Sequence, residues 1–510
     1  MLNSRQFEFS EIEKKSRSYQ LTELLEKIFD WLEAQTPQLF FYGDINFRHA
    51  LECHFYFAGI NNNKALLPLL TAAKGWRACL TTENTSSIFY DACLAVVGND
   101  SLVAKSRAFL QKFALFFYLL KKQGAKLEAT SRSSANDKTS PVAFFAINAR
   151  YVYFFKRIID ALGSQRSVFL SLGRADVINA SNEMNIKVLD EGYIRFEIEK
   201  VAMPIGHPLF YWFLVATKQY LIALGTLKTQ SISVVVFAEG TSMQDELVSQ
   251  AAKGLNIPTI RVQSGRAGLL HAAYRNMSFN KMLVWGQGFI DRLRPYSKLP
   301  SYVITGNPDI QPLKETRLCA TLFGASSKRP MITVVTQPIN PHIPQRDYDQ
   351  LVSLVHQVLE LDLNVNVLVR KHPVDKCQAF DLLSQAYPNR LKVSDSKQYV
   401  LNEVFAISDL VIGFYSTTLS EAAAYGVIAL LLQLKPEHSV FPFPERFGAA
   451  ISVHNKEQAL ESIKKVLTSK AYKESMVKNM NAFADYYLGP RDGEAIKNIV
   501  THIQPNQEHV

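Results

Sequence analysis

Short apolar runs alternate with amphipathic stretches from residue 142 onward, a rhythm typical of β-α-β units in a parallel sheet. The runs of a first series are PVAFFAI, SVFLSL, IKVLD, ISVVVFAEG, PTIRVQSG and KMLVWG, and those of a second are MITVVTQ, NVNVLVRKHP, LKVSD, DLVIGFYS and VIALLL. The segment YVITGNP, residues 302–308, introduces the second series. We therefore predict an α/β protein of two Rossmann-like, doubly wound domains, residues 142–308 and 309–480, that face a cleft.

The first 125 residues have a different pattern. Apolar positions recur at helical spacing in SYQLTELLEKIFDWLEA and SLVAKSRAFLQKFALFFYLLKK, so residues 1–125 are predicted to be mostly helical. Residues 126–141 are polar and rich in serine, which is typical of a linker. Helical patterns return at the end, and residues 481–510 are predicted to form closing helices.

The two most apolar segments are candidate membrane spans. FALFFYLL is too short to cross a bilayer, and HPLFYWFLVATKQYLIALGTL is interrupted by Lys218 and Gln219. The N-terminus has no basic region followed by an apolar one, which argues against a signal peptide. We expect a cytoplasmic protein, with any membrane contact peripheral and on the cytoplasmic face of the inner membrane.

Composition limits the classes of partner and of site. The net charge of +10 over 510 residues suits anionic partners such as nucleotides, lipid surfaces or acidic glycans. No nucleic-acid-binding signature accompanies this charge, so nucleic acid is not expected as a partner. The cysteines are odd in number, scattered and never in CxxC spacing, which predicts neither a disulfide framework nor a zinc site. They are Cys53, Cys79, Cys93, Cys319 and Cys377.

In open α/β sheets, ligands bind beyond the carboxyl ends of the strands, and several predicted strands end in polar groups there. VNVLVR ends at Arg370, Lys371, His372 and Pro373, two fixed cations and an imidazole before a proline turn. Such a cluster suits a phosphate through charge-assisted hydrogen bonds, the alternative being a solvated basic strand end.

A run of hydroxyl residues, Ser416, Thr417 and Thr418, opens a predicted helix whose next turn carries Glu421. Its hydroxyls and amides form a candidate anion site, although Ser/Thr followed by Glu is also an ordinary capping box. With the basic strand end of the neighbouring unit, it predicts a phosphate pocket.

The first predicted domain has an acidic counterpart. Asp190 and Glu191 end the strand IKVLD, where a carboxylate can act as a general base or as a nucleophile; the alternative is a solvated turn. Glu239 ends a further strand and is a second candidate base, the alternative being that it caps the following helix through its neighbours Thr241 and Ser242. Gln263 and Arg266, together with Arg261, are candidates for holding an anionic acceptor, the alternative for the arginines being surface charge.

These motifs, in this order, resemble a known set. Asp190-Glu191-Gly192, then His372-Pro373, then a Ser/Thr pair that opens a helix are similar to the motifs of bacterial GT-B sialyltransferases, which use CMP-activated sialic acid. The stretch LDEGYIRFEIE also resembles the E-x-GY-(I/L)-R segment of bacterial capsule-synthesis proteins, including Kdo transferases that use CMP-Kdo. The resemblance covers roughly residues 140–500 and implies a GT-B-like fold.

The resemblance also implies roles. Asp190 would be the general base with Glu191 beside it, or an acidic residue would be the nucleophile of a retaining reaction. His372 would contact the CMP phosphate, and Ser416 and Thr417 would bind it. No metal or other cofactor is implied, because cationic side chains and helix amides stabilise the leaving group. The implied partners are a CMP-activated sugar donor and a glycan or glycolipid acceptor of lipopolysaccharide or capsule.

Two other functions remain open. One is a GT-B enzyme that uses a UDP-sugar or a CDP-polyol, or a relative of the UDP-sugar 2-epimerases. The other is a non-catalytic scaffold of polysaccharide assembly that keeps the fold, because fold alone does not determine function.

Overall fold

The computed structural model describes residues 11–60, 62–78, 89–93, 95, 115, 140–189, 192, 194, 196–238, 240–266, 271–313, 316–324, 329–340, 343–361, 363–395, 398–435 and 441–504. Their contacts form two compact units. Unit 1 lies within Met1–Val284, Ile290–Val303 and Ile496–Val510, and unit 2 lies within Trp285–Phe289 and Ile304–Ala495. The five-part division from the sequence stays a prediction.

Unit 1 begins with helices and a two-stranded hairpin. These elements are α1 (Glu11–Lys14), α2 (Arg17–Gln35), β1 (Phe41–Tyr42), β2 (Ile45–Asn46), α3 (Arg48–Gly59), α4 (Leu67–Ala72) and α5 (Lys74–Ala78). Strands β1 and β2 are antiparallel. The predicted helix SLVAKSRAFLQKFALFFYLLKK lies almost wholly outside the described residues, as does most of the predicted linker.

Two buried arginines join the N-terminal helices to the rest of unit 1. Arg275 forms ion pairs of 2.6 Å with both Glu23 and Glu26 of α2, and Arg292 forms one of 3.0 Å with Glu13 of α1. Removing one member of such a buried pair is strongly destabilising, since it leaves an uncompensated charge. The N-terminal helices are therefore part of unit 1.

A seven-stranded sheet forms the core of unit 1, in the order β5-β4-β3-β6-β7-β8-β9. The strands are β3 (Val142–Phe145), β4 (Ser167–Leu170), β5 (Lys187–Leu189), β6 (Val234–Phe237), β7 (Thr259–Val262), β8 (Lys281–Val284) and β9 (Ser301–Ile304). All pairs from β5 to β8 are parallel. Strands β3 and β6 are buried at every residue, which their continuous apolar sequences predict for a sheet covered on both faces.

Helices connect these strands: α6 (Ala149–Leu162), α7 (Ala175–Glu183), α8 (Phe210–Lys228), α9 (Met243–Gly254) and α10 (Gln287–Leu293). Helix α6 buries Val152, Phe155 and Ile159 at helical spacing against the sheet. No helix in the described ranges combines the length and the hydrophobicity that a membrane span requires.

Unit 2 has a six-stranded sheet in the order β12-β11-β10-β13-β14-β15, parallel throughout. Its strands are β10 (Met331–Val335), β11 (Asn366–Lys371), β12 (Leu391–Asp395), β13 (Leu410–Gly413), β14 (Ile428–Leu432) and β15 (Ala450–Val453). The helices are α11 (Leu318–Phe323), α12 (Gln345–Glu360), α13 (Ala379–Ala386), α14 (Leu401–Ile407), α15 (Thr417–Glu421), α16 (Lys456–Thr468) and α17 (Lys470–Tyr487), followed by α18 (Ala495–Ile503).

Both sheets have the doubly wound strand order, in which the chain builds outward in one direction and then in the other. The predicted fold class is thus confirmed: two parallel, Rossmann-like α/β sheets with helical segments before them. The segment YVITGNP, predicted to introduce the second series, instead contributes residues 302–304 to β9 of the first sheet.

Candidate functional site

The strand order of unit 2 reverses between β10 and β13, and such a switch point is where doubly wound sheets bind ligands. In register, Val335 lies opposite Arg370 of β11, and Val334 lies opposite Ile412 of β13. The loops that follow β11, β10 and β13 therefore start side by side at one edge of the sheet.

The His372-Pro373 turn is held by a buried carboxylate that the sequence did not single out. The amide of His372 donates to Thr336 Oγ1 at 3.2 Å, and the Thr336 hydroxyl in turn donates to Asp375. Asp375 is 9% exposed and accepts a second hydrogen bond, of 2.9 Å, from the Tyr348 hydroxyl. The His372 side chain is exposed on this fixed turn.

The two cations before this turn have different surroundings. Lys371 Nζ forms an ion pair of 2.8 Å with Asp381 and donates to the Cys377 carbonyl at 2.7 Å. Arg370 is partly buried, and burial lowers its pKa while the carboxylates of Glu421 and Asp395 raise it. Arg370 thus lies near Glu421, whereas Lys371 is bound by residues that follow it in the chain.

The hydroxyl run is at the start of α15, as predicted. Ser416 is the N-cap residue, and its Oγ accepts a hydrogen bond of 3.3 Å from the amide of Thr418. Ser416, Thr417 and Thr418 are all partly exposed. The amide of Tyr415 donates to Gln337 Oε1 at 3.2 Å, so a hydrogen bond joins the loops after β13 and β10 at the switch point.

Glu421 does not close a capping box with Ser416, because the third helical residue is Leu419. Its carboxylate is buried instead and accepts a hydrogen bond of 3.4 Å from Asn307. This partner is distant in sequence, so no local pattern predicts it. Glu421 acts on the charge of Arg370 rather than on the helix end.

In unit 1, three predicted site residues, Asp190, Glu191 and Glu239, lie outside the described residues. Gly192 beside them is described, and its amide donates to Thr226 Oγ1 at 2.8 Å. A Cβ on Gly192 would lie 2.2 Å from the carbonyl carbon of Gly225 in α8. The close approach that this glycine permits is therefore made by a helix backbone.

The turn after β7 contains the candidate acceptor residues. Gln263 is buried and donates to the Gly265 carbonyl at 2.8 Å, so its side chain shapes the turn. Arg266 is partly exposed. Arg261, for which surface charge was the alternative, is instead fully buried.

Residues that sequence reasoning missed follow β10: Thr336 and Gln337 bind the neighbouring loops. The sequence could have indicated these two residues, because MITVVTQ is the first strand of the second series and so borders the switch point. In the described part of the chain, no group of three or more His, Cys, Asp or Glu side chains has an arrangement that would hold a metal ion. Metal independence stays a prediction.

No protein-family model matches the chain. Over 163 residues it is 28% identical to the processive diacylglycerol beta-glucosyltransferase of Bacillus pumilus (strain SAFR-032), covering 31% of this chain and 41% of that protein. The chain is thus similar, over part of its length, to a glycosyltransferase, and the match spans less than half of that relative.

Several solved structures are similar at low identity. They include a UDP-GlcNAc 2-epimerase from Neisseria meningitidis bound to UDP-GlcNAc (13% identity, TM-score 0.48, 72% of this chain and 99% of that one). Others are the MurG of Acinetobacter baumannii (16%, 0.47, 72% and 99%) and the wall teichoic acid polymerase TagF with CDPG (13%, 0.43, 79% and 98%). The fold class rests on the two sheets rather than on these likenesses. None of these names mentions a CMP-sugar, so the CMP-ulosonate donor has no support here.

Proposed function

We propose that the protein is a glycosyltransferase whose donor is a sugar nucleotide of the UDP-sugar type, bound at the carboxyl edge of the unit 2 sheet. The observation that carries the proposal is that Arg370, the His372-Pro373 turn and Ser416 all lie at the carboxyl edge of that sheet, on the two strands that flank β10 at its switch point or directly after them. The partial similarity to a glucosyltransferase supports the transfer of a sugar.

More than one loop of this edge supplies donors, which suits a ligand with two linked phosphoryl groups. Arg370 and His372 lie at the end of β11, and Ser416 follows β13 on the other side of β10. CMP-activated sugars carry one phosphoryl group, and their use remains the competing prediction within this fold.

Each residue has a distinct part in the proposal. Arg370 neutralises the leaving diphosphate, His372 donates a hydrogen bond to it, and Ser416 and Thr417 add hydroxyl donors. Glu421 is a poor phosphate ligand because both groups are anions, so we give it the part of orienting Arg370. The assignment of Asp190 or Glu191 as the base that deprotonates the acceptor stays a prediction.

The acceptor is proposed as a hydroxyl of a glycan or glycolipid. The relative is named for transfer to diacylglycerol, which makes a lipid hydroxyl the first acceptor to test. A transfer assay would mix UDP-glucose with diacylglycerol in detergent micelles and measure release of UDP. Release that depends on the acceptor is expected, whereas no turnover with UDP-, CDP- or CMP-activated donors would favour the non-catalytic scaffold.

Calorimetric titration with UDP, CDP and CMP tests the nucleotide site directly. We expect UDP to bind most tightly, and Arg370→Met to weaken it about 10- to 100-fold, because a hydrogen bond to a charged group contributes about 1.5–3 kcal/mol. His372→Ala should weaken UDP binding less. Lys376→Met removes an exposed cation from the same turn and should leave the affinity unchanged. Tighter binding of CMP than of UDP would contradict the proposal and favour the hypothesis of a CMP-activated sugar donor.

A further inference from the structure

One buried arginine of unit 1 has different surroundings from the others. Arg261 lies near the carboxyl end of β7, paired in register with Phe237 of β6, and its side chain is 1% exposed. Unlike Arg275 and Arg292, whose charges are matched by glutamates, Arg261 forms no ion pair with any residue of the described ranges.

The groups around its guanidinium are sulfur and aromatic rings. Nη1 contacts Met277 Sδ, and the guanidinium carbon lies 4.3 Å from the ring centre of Tyr274 and 5.9 Å from that of Phe279. Nε and Nη2 have no hydrogen-bond acceptor in the described part of the chain. Ring faces attract a cation only weakly, and sulfur is a weak acceptor.

The imidazole of His271 does not compensate the charge of Arg261. Burial, together with the charge of Arg261 and of His49, lowers the pKa of His271 to about 3, which leaves this imidazole neutral near pH 7. Among the described residues, the positive charge of Arg261 therefore has no carboxylate partner, an arrangement that costs free energy unless an anion completes it.

The position of Arg261 is also that of a ligand site. The loop after β6 passes over it at Gly240, which has φ +62°, and a Cβ there would lie 3.0 Å from Arg261 Cδ and Nε. Glycine thus lets this loop approach Nε, at the carboxyl edge where doubly wound sheets bind ligands. Nε and Nη2 of Arg261 lie in one plane and can each donate a hydrogen bond, so together they match two oxygens of one phosphate or carboxylate.

We propose that Arg261 is the cationic centre of an oxyanion-binding site in unit 1, which takes a phosphate or carboxylate group of a ligand. This site is separate from the nucleotide site proposed for unit 2 and does not depend on it. Since Arg261 is 1% exposed, an anion can reach its guanidinium only when the segments packed around it move apart.

Thermal unfolding in the presence of inorganic phosphate tests the proposal. Phosphate should raise the Tm of the wild-type protein relative to chloride at equal ionic strength, since a ligand that binds only the folded state stabilises it. Acetate and glucuronate form the carboxylate arm, and the anion with the larger effect identifies the preferred group. A wild-type protein that responds to none of these anions would overturn the proposal.

Arg261→Met separates a binding role from a structural one. In phosphate-free buffer its Tm should equal or exceed that of the wild type, because an unmatched buried charge has been removed. With UDP present to occupy the site proposed for unit 2, the response to phosphate should be lost. Arg174→Met, at an exposed arginine, should keep that response. A lower Tm with an unchanged phosphate response would mean that Arg261 is structural. Unchanged UDP affinity in Arg261→Met would distinguish this site from that of unit 2.

Hydrogen exchange on the wild-type protein keeps the test independent of whether the variant folds. Phosphate should slow amide exchange in residues 240–246 and 259–266, the two segments that meet at Arg261. Exchange that is equal with and without phosphate would contradict the proposed site.

Discussion

Asp375 is a buried carboxylate with three donors around it: the hydroxyls of Thr336 and Tyr348, and the amide of Cys377 at 3.0 Å. Burial, with the charge of Asp375, raises the pKa of Tyr348, so this hydroxyl remains a donor. Through Thr336 the network reaches the amide of His372. Asp375 therefore acts as a positioning residue for the turn that presents His372.

Asp375→Asn should disturb this turn. Either orientation of the amide places an NH₂ group against at least one of these donors, so we expect the free energy of unfolding to fall by about 1–3 kcal/mol. UDP affinity should fall about tenfold, measured by calorimetry alongside urea unfolding. Asp381→Asn is the control, since its pair with Lys371 is partly exposed and contributes about 0–1 kcal/mol. Reduced stability with full UDP affinity would limit Asp375 to a structural role.

Two histidines of unit 1 predict how stability depends on pH. Burial lowers the pKa of His54 to about 4, and that of His271 is lowered to about 3. In the unfolded chain both titrate near pH 6.5, so below that pH the unfolded state binds more protons. Their contribution is fully present above about pH 6.5 and is lost as the pH falls toward 4.

We therefore expect these two histidines to lower the Tm between pH 7 and pH 4, each through a loss of stability on the order of a few kcal/mol. His49 opposes them, because its burial is outweighed by Cys53 and Glu52, which raise its pKa well above the usual value. His54→Gln should make the decrease less steep, because it removes one of the two groups. His356→Gln, at a partly exposed histidine of unit 2, is the matched control. A profile that is the same for all three proteins would exclude His54 as a cause.

At the scale of elements, the close contact between Gly192 and helix α8 predicts that a larger residue at this position destabilises unit 1. Gly192→Ala would place a methyl group 2.2 Å from the Gly225 carbonyl carbon, and this backbone can move only with its helix. We expect a loss of about 1–3 kcal/mol in the free energy of unfolding, measured with urea. Gly206→Ala is the control, because nothing lies within 4 Å of its Cβ position. Equal stability of both variants would show that α8 shifts easily.

The strands were largely predictable because most are buried on both faces and read as continuous apolar runs. Strand β14 is an example, with all of Ile428–Leu432 buried. Strand β15, Ala450–Val453, was missed: it lies at the edge of its sheet, and two of its four residues are only partly buried. The two-residue strands β1 and β2 are too short for any periodicity.

The candidate site was predictable where it follows from the ends of strands, and not where it follows from pairing. His372 and Ser416 lie at the carboxyl edge that their position in the sequence predicts. The ion pair of Lys371 with Asp381 depends on side-chain direction. The hydrogen bond from Asn307 to Glu421 depends on a contact distant in sequence. These are set by packing, which alternation of apolar and polar residues does not encode.

At the scale of the whole molecule, the core of unit 1 includes residues from the last described helix. Ile499 and Ile503 of α18 are buried in the cluster that contains Val142 and Phe144 of β3. The described chain thus supplies unit 1 from segments on both sides of unit 2 in sequence.

Ile499→Ala should destabilise unit 1 by about 2–5 kcal/mol, the usual cost of truncating a buried isoleucine. UDP affinity, measured by calorimetry, should be unchanged, because the proposed nucleotide site belongs to unit 2. Thr501→Ala, on the exposed side of the same helix, is the control and should change stability little. Parallel loss of UDP binding would show that the two units unfold as one.

The discontinuous composition of unit 1 also bears on how the protein is made. Residues 496–504 are translated after every residue of unit 2, so a nascent chain holds all of unit 2 before it can complete the hydrophobic cluster of unit 1. Domains generally fold in the order of their synthesis, the N-terminal one first. Here the later unit can finish before the earlier one, and the incomplete cluster around Val142 and Phe144 is the surface that a chaperone at the ribosome would have to cover in the interval.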